Sequence, residues 1–122
     1  RDFQRSHGLL MHSHMHETLN EVENSVKGTA GPGKQMSSEC SRPFANYQRL
    51  GLLSDSFIGA HCVHCDEGDI ALLKAQGCSV ASCPVSNAKM SCGIAPLQAM
   101  IDAGVNVGLG TDGSCSNNSL DM

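Results

Sequence analysis

The feature that most constrains this chain is a repeated alternation. Short apolar runs each end in polar, chemistry-capable residues, then give way to an amphipathic stretch. Leu9 to His16 reads as a strand, with Leu10, His12, His14 and His16 on one face by period two. Thr18 to Lys27 has helical, acidic character, and Gly28 to Ser41 is rich in Gly, Pro and Ser and reads as a loop. Pro43 opens a helix through Leu50, a position that suits Pro because its missing N–H is unneeded there. Phe57 to Val63 is a second strand. Asp66 to Gln76 is a helix with Asp66 as N-cap and Gly77 past its end. Cys78 to Cys83 is a third strand. Ile94 to Ala103 is a helix with Ile94, Leu97, Met100 and Ile101 on one face, and Val105 to Leu109 is a fourth strand. Helices that stop at Gly and lead at once into a strand are the short αβ connections of a parallel sheet. Val105 to Leu109, apolar apart from Asn106, is expected to be covered on both faces. The class is α/β, an open sheet or part of a barrel.

Position then singles out the chemistry. His14 and Glu17 follow the first strand, His61 lies near the end of the second, Ser86 and Asn87 follow the third, and Asp112 follows the fourth. In parallel α/β folds the C-terminal ends of the strands converge on one face, where active sites lie. The run His12-Ser13-His14-Met15-His16-Glu17 offers the imidazole and carboxylate donors that borderline metals take.

Three look-alikes fall away. Gly108 to Gly113 matches GxGxxG, but Ser114-Cys115-Ser116-Asn117-Asn118 follows in place of a helix. Gly28 to Lys34 has the spacing of a phosphate-binding loop, but Gln35 replaces the Mg²⁺-binding Ser or Thr and no strand precedes it. Cys62-Val63-His64-Cys65 is a CxxC without a second pair at zinc-site spacing, so these thiols read as packing residues. The rival reading is a non-catalytic half-barrel, or a Cys-rich metal-binding module built on Cys62 and Cys65. A net charge of −4 and only 3% aromatic residues argue against nucleic acid as a partner. No apolar run reaches the roughly 18–20 residues of a membrane span. Seven Cys with no secreted-scaffold pattern fit reduced thiols and a cytoplasmic setting.

Five segments, taken in order, carry a resemblance. They are His14-Met15-His16-Glu17-Thr18; Ala60-His61-Cys62-Val63-His64; Cys83 to Lys89; Gly93-Ile94-Ala95-Pro96; and Gly108 to Gly113 with the closing Ser116 to Met122. Together they resemble the amidohydrolase superfamily, within it the deaminases of methylthioadenosine and S-adenosylhomocysteine and the related chlorohydrolases. The resemblance implies a (β/α)₈ barrel of the TIM type with one divalent metal ion, zinc foremost and iron as the alternative. Residues 1–122 would then be a partial catalytic barrel, strands five to eight, the C-terminal half. It implies that His14 and Asp112 bind the metal and that His61 holds the metal-activated water. Glu17 would exchange a proton with a ring nitrogen of the substrate, and Asp112 would take the water's proton. Glu17 and Asp112 thus both face the substrate, a small adenine-type nucleoside or related N-heterocycle. The family's first-strand His-x-His pair has no counterpart here; His12 and His14 share its spacing but lie inside the fifth-strand motif. A full barrel needs about 250 residues, so half of one leaves open parallel edges that invite a homo-oligomer. Thr29 to Ser41 is expected to be an insertion, and Met90 stands where Leu is usual.

Overall fold

The computed structural model describes residues 2–29 and 41–122. Most of the look-alike phosphate loop and most of the expected insertion lie outside them. The elements run α1 (Asp2–Ser6), β1 (Met11–Met15), α2 (Leu19–Lys27), α3 (Pro43–Arg49), β2 (Phe57–His61), α4 (Glu67–Ala75), β3 (Ser79–Ser82), α5 (Pro84–Lys89), α6 (Leu97–Asp102) and β4 (Asn106–Leu109). The four strands form one sheet in the order β1-β2-β3-β4, and each pairing is parallel. A sheet whose spatial order equals its chain order, with a helical crossover at every step, has the singly wound topology of a segment of a (β/α)₈ barrel.

Local chemistry sets the element boundaries. Thr18 caps α2 by accepting from the Glu21 N–H, and Asp66 caps α4 in a reciprocal box with Asp69. On the helix side of the sheet, Met15, Phe57 and Val80 pack against Phe44, Leu73 and Met100, all almost fully buried. Phe44 and Phe57 meet edge to face at 6.4 Å. Gly59 makes this approach possible, because a Cβ there would lie 3.2 Å from Phe44 Cζ and 3.0 Å from Cys62 Sγ.

Four expectations need correction. The helix expected from Ile94 begins only at Leu97, and Ile94 is 95% exposed. Pro96 cannot donate a helical N–H, and it disfavours helical geometry at Ala95 before it. Of the expected apolar face, Met100 is buried, whereas Ile101 is exposed. β4 is not covered on both faces: Asn106, Gly108 and Leu109 are exposed, since among the described residues β4 is an edge strand. His16 leaves the face of His12 and His14. It adopts a left-handed φ of 53° and turns its ring into the helix layer, stacked 4.7 Å from Phe44. Two short helices, α1 and α5, went unread because a turn or two of helix shows no periodicity.

Candidate active site

The strand ends carry an unusual backbone. His16, His61, Cys62 and Asp112 are non-glycine residues with φ between 50° and 68°. This left-handed region costs an L-residue about 1–2 kcal/mol, and such strain collects where side chains must be aimed rather than relaxed. At His16 the turn carries the ring out of the strand's alternation into the helix layer. At His61 it does the reverse, bringing the ring to the sheet face opposite the core, beside Ala60.

That face holds an open cavity of about 460 Å³ lined by residues that include His14, Ala60, His61, Ala81, Cys83 and Asp112. The His14 and His61 rings stack with centroids 5.3 Å apart and planes 19° from parallel. Each of His14, His61 and Asp112 offers one donor atom, and the three atoms lie within 4.8 Å of one another. Glu17 Oε1 sits 3.8 Å from His61 Nε2. The four sequence-assigned residues therefore share one locus. Ser86 and Asn87 also reach it, but from α5 rather than from a loop. The Ser86 and Ser116 hydroxyls donate to Asp112 Oδ2 at 2.6 and 2.8 Å. These hydrogen bonds, Ser86 first, with a further one from the Gly113 backbone, hold the Asp112 carboxyl down at about 2. It is a carboxylate at any physiological pH.

Two supports were not foreseen. Glu21 accepts from the backbone N–H groups of His16 and Glu17 at 2.9 and 2.8 Å, which fixes the turn presenting Glu17. Thr18-x-x-Glu21 has capping-box spacing, but Glu21 reaches past the Thr18 N–H that a box would use to the two N–H groups before it. The Cys92 thiol contacts Glu17 Oε1 at 3.8 Å, and burial and the nearby carboxylate push that thiol's pKa up.

A second cluster, His16, Cys65 and Asp69, brings three potential donor atoms within the same span. Its donors are already engaged. Arg42 donates to Asp69 Oδ2 from Nε and Nη2 at 2.9 and 2.6 Å, so a cationic side chain occupies the place a metal ion would take. The Phe44 N–H donates to His16 Nε2, which leaves the ring proton on Nδ1, beside Asp69 and the His64 carbonyl. Burial lowers the His16 pKa, which keeps the ring neutral. The Cys65 thiol is pushed strongly up by its hydrogen bond with Cys62 and by burial, and Cys62 itself is fully buried. Thiolate, not thiol, binds metal. Replacing Cys62 and Cys65 together by Ala is therefore expected to leave metal content unchanged and to cost about 1–3 kcal/mol of stability. Elemental analysis beside a denaturant melt checks both; loss of stoichiometric zinc would revive the Cys-module reading.

Comparison with known proteins places this geometry in context. The chain is 44% identical over 115 residues to a 5-methylthioadenosine/S-adenosylhomocysteine deaminase of Moorella thermoacetica, covering 94% of this chain and 24% of that protein. It is 39% identical over 122 residues to a 5'-deoxyadenosine deaminase of Methanothrix thermoacetophila, covering 100% of this chain and 27% of that protein. The chain thus spans about a quarter of the length of the curated relatives it matches. The crystal structure of an adenosine deaminase from Xanthomonas campestris with bound zinc superposes with a TM-score of 0.87 at 38% identity, over 100% of this chain and 26% of that one. The sequence profile of the amidohydrolase family matches residues 2–122, the same stretch that carries all four strands and their polar ends, and the chain belongs to that family.

Proposed function

We propose that the protein carrying this chain is a metal-dependent aminohydrolase that deaminates an adenine-type nucleoside or a related N-heterocycle. The carrying observation is the convergence of His14, His61 and Asp112 donor atoms within 4.8 Å, with Glu17 at 3.8 Å from His61. An imidazole and a carboxylate, His14 and Asp112, are donors that suit zinc, with iron as the alternative. His14 and Asp112 would hold a single ion, and the remaining donors would come from elsewhere in the protein. When bound, a divalent ion lowers the pKa of water to near neutrality and makes hydroxide available at that locus.

The chain's own residues account for the proton traffic. His61 accepts a hydrogen bond from the attacking water and orients it. Asp112, ionised and held by two serine hydroxyls, takes the water's proton and passes it to the departing ammonia. Glu17 stands beside His61 and, as the neutral acid, donates its proton to a ring nitrogen as negative charge builds there during attack; the hydroxyl added to the ring returns a proton to Glu17 as the carbonyl forms and ammonia leaves. The names of the similar proteins, deaminases of methylthioadenosine, S-adenosylhomocysteine, 5'-deoxyadenosine and adenosine, support the adenine-type substrate. In this reading residues 1–122 supply barrel strands five to eight, and the partner is a small, water-soluble molecule. No helix among the described residues is long and apolar enough to cross a membrane, and we place the enzyme in the cytoplasm.

The test is ammonia release by the full-length protein from S-adenosylhomocysteine, methylthioadenosine and adenosine, before and after chelation. Activity is expected with at least one of the three, to vanish with the metal and to return with zinc. No release from any of them, with metal bound at one per chain, would refute the proposal.

A further inference from the structure

Asn87 has no part in the chemistry proposed above, yet its side chain makes a buried hydrogen bond to His61, which does. Its Oδ1 lies 2.9 Å from His61 Nδ1, and both side chains are buried, at 2% and 1% exposure. With the Asn87 amide turned so that Oδ1 faces the ring, that oxygen can only accept, which assigns the proton to Nδ1. A neutral imidazole with its proton on Nδ1 has a bare lone pair on Nε2, the nitrogen that faces Glu17.

We propose that Asn87 is a positioning residue that locks His61 in the Nδ1–H tautomer, so that Nε2 serves as a hydrogen-bond acceptor in the site. The alternative tautomer would place a proton on Nε2 and aim it at Glu17 Oε1. His61 would then donate to the carboxyl group that must act on the substrate, and it could not accept from water. The choice of tautomer decides which of two neighbours His61 serves.

The fold holds Asn87 rigidly enough for this task. Pro84 starts α5 directly after β3, with its fixed φ preset for a helix. The Asn87 N–H donates to the Cys83 carbonyl at 2.9 Å, and its own carbonyl accepts from the Cys92 N–H at 2.8 Å. The backbone is thus tied on both sides. Ser86, the preceding residue on the same short helix, holds Asp112. Consecutive residues of α5 therefore position two different groups of one site. Metal-ligating histidines are commonly fixed through their second ring nitrogen, and losing that partner costs about 10–100-fold in metal affinity or activity; a loss of the same order is expected for a water-orienting histidine.

The kinetic half of the test rests on the deaminase reading; the tautomer half does not. In the metal-loaded full-length protein with ¹⁵N-labelled histidine, the imidazole spectrum of wild type should show His61 protonated on Nδ1 and bare on Nε2. A proton on Nε2 would overturn the proposal outright. Asn87→Leu keeps the size but offers no acceptor. It should lower kcat by about 10–100-fold with KM and metal content little changed, and the His61 signals should lose the single-tautomer pattern. Asn87→Asp restores an acceptor oxygen at the same place and should recover most of the lost kcat. Wild-type kcat in Asn87→Leu, or an Asn87→Asp as slow as Asn87→Leu, would refute the lock. If Asn87→Leu does not fold, the wild-type spectrum still decides. If wild type releases no ammonia from any substrate, the deaminase reading fails while the tautomer result stands by itself.

Discussion

In the full-length protein, Glu17→Gln is expected to keep its metal and lose turnover by about 10²–10⁴-fold, whereas Asp112→Asn should lose both. The two carboxylates sit in different surroundings. Glu17 is partly exposed, and its carboxylate contacts are His61 Nε2 and the Cys92 thiol, both at 3.8 Å. It lies outside the three-residue donor group. Gln fills the same space but cannot release a proton to a ring nitrogen. Asp112 belongs to the donor group, and two hydroxyls fix its Oδ2. Asn there replaces an anion held at a pKa of about 2 with a neutral amide. That weakens a metal ligand and removes a proton acceptor at once. Elemental analysis beside ammonia release separates the cases. If Glu17→Gln sheds metal as fully as Asp112→Asn, Glu17 is a ligand and the assignment of roles is wrong.

The second large effect concerns two histidines on one strand. His14→Ala should reduce metal affinity by more than the 10–100-fold typical of losing an outer partner, and His12→Ala should leave it unchanged. Both residues line the cavity, but only His14 shares the 4.8 Å donor group with His61 and Asp112. The strand rises about 3.3 Å per residue, so His12 sits nearly 7 Å further from the catalytic end. Titration of the apo variants with zinc, read by a competing chelator, gives the affinities. Equal loss in both would mean that the wrong histidine was chosen.

The parallel architecture was legible because each helix-to-strand step carries its own punctuation. Gly77 and Gly104 follow helices with φ of 69° and 78°, and each leads straight into a strand. His14, Glu17, His61 and Asp112 could be placed at one end of the sheet because parallel strands put all their C-termini there. Side-chain direction was less legible. Period-two alternation put His16 with His12 and His14, and only the backbone reversal at residue 16 shows that the rule stops there. No local pattern announces a left-handed histidine. The supports of the site were hidden for another reason. Asn87 reaches His61 across 26 residues, and Ser86 reaches Asp112 across the same separation, so neither contact leaves a trace in neighbouring sequence. Arg42, just before α3, and Asp69 on α4 form a partly buried ion pair, yet nothing local links the two charges in the sequence.

The left-handed strand ends set a trade-off between stability and activity. At His61 and Asp112 the backbone asks for glycine, the one residue that adopts φ near 60° without penalty. Glycine at either position would relieve local strain and delete a group the proposed chemistry requires. Selection for thermal robustness alone would therefore push these positions toward loss of function, and a consensus drawn from inactive paralogues is the place where glycine would surface. Cys62 offers a contrast, with φ of 50° and no proposed part in the reaction. There the strain is separable from the chemistry, although the buried thiol's packing would go with it. The proposed catalytic rim is thus the part of the fold where the sequence best for holding the structure and the sequence best for using it differ most.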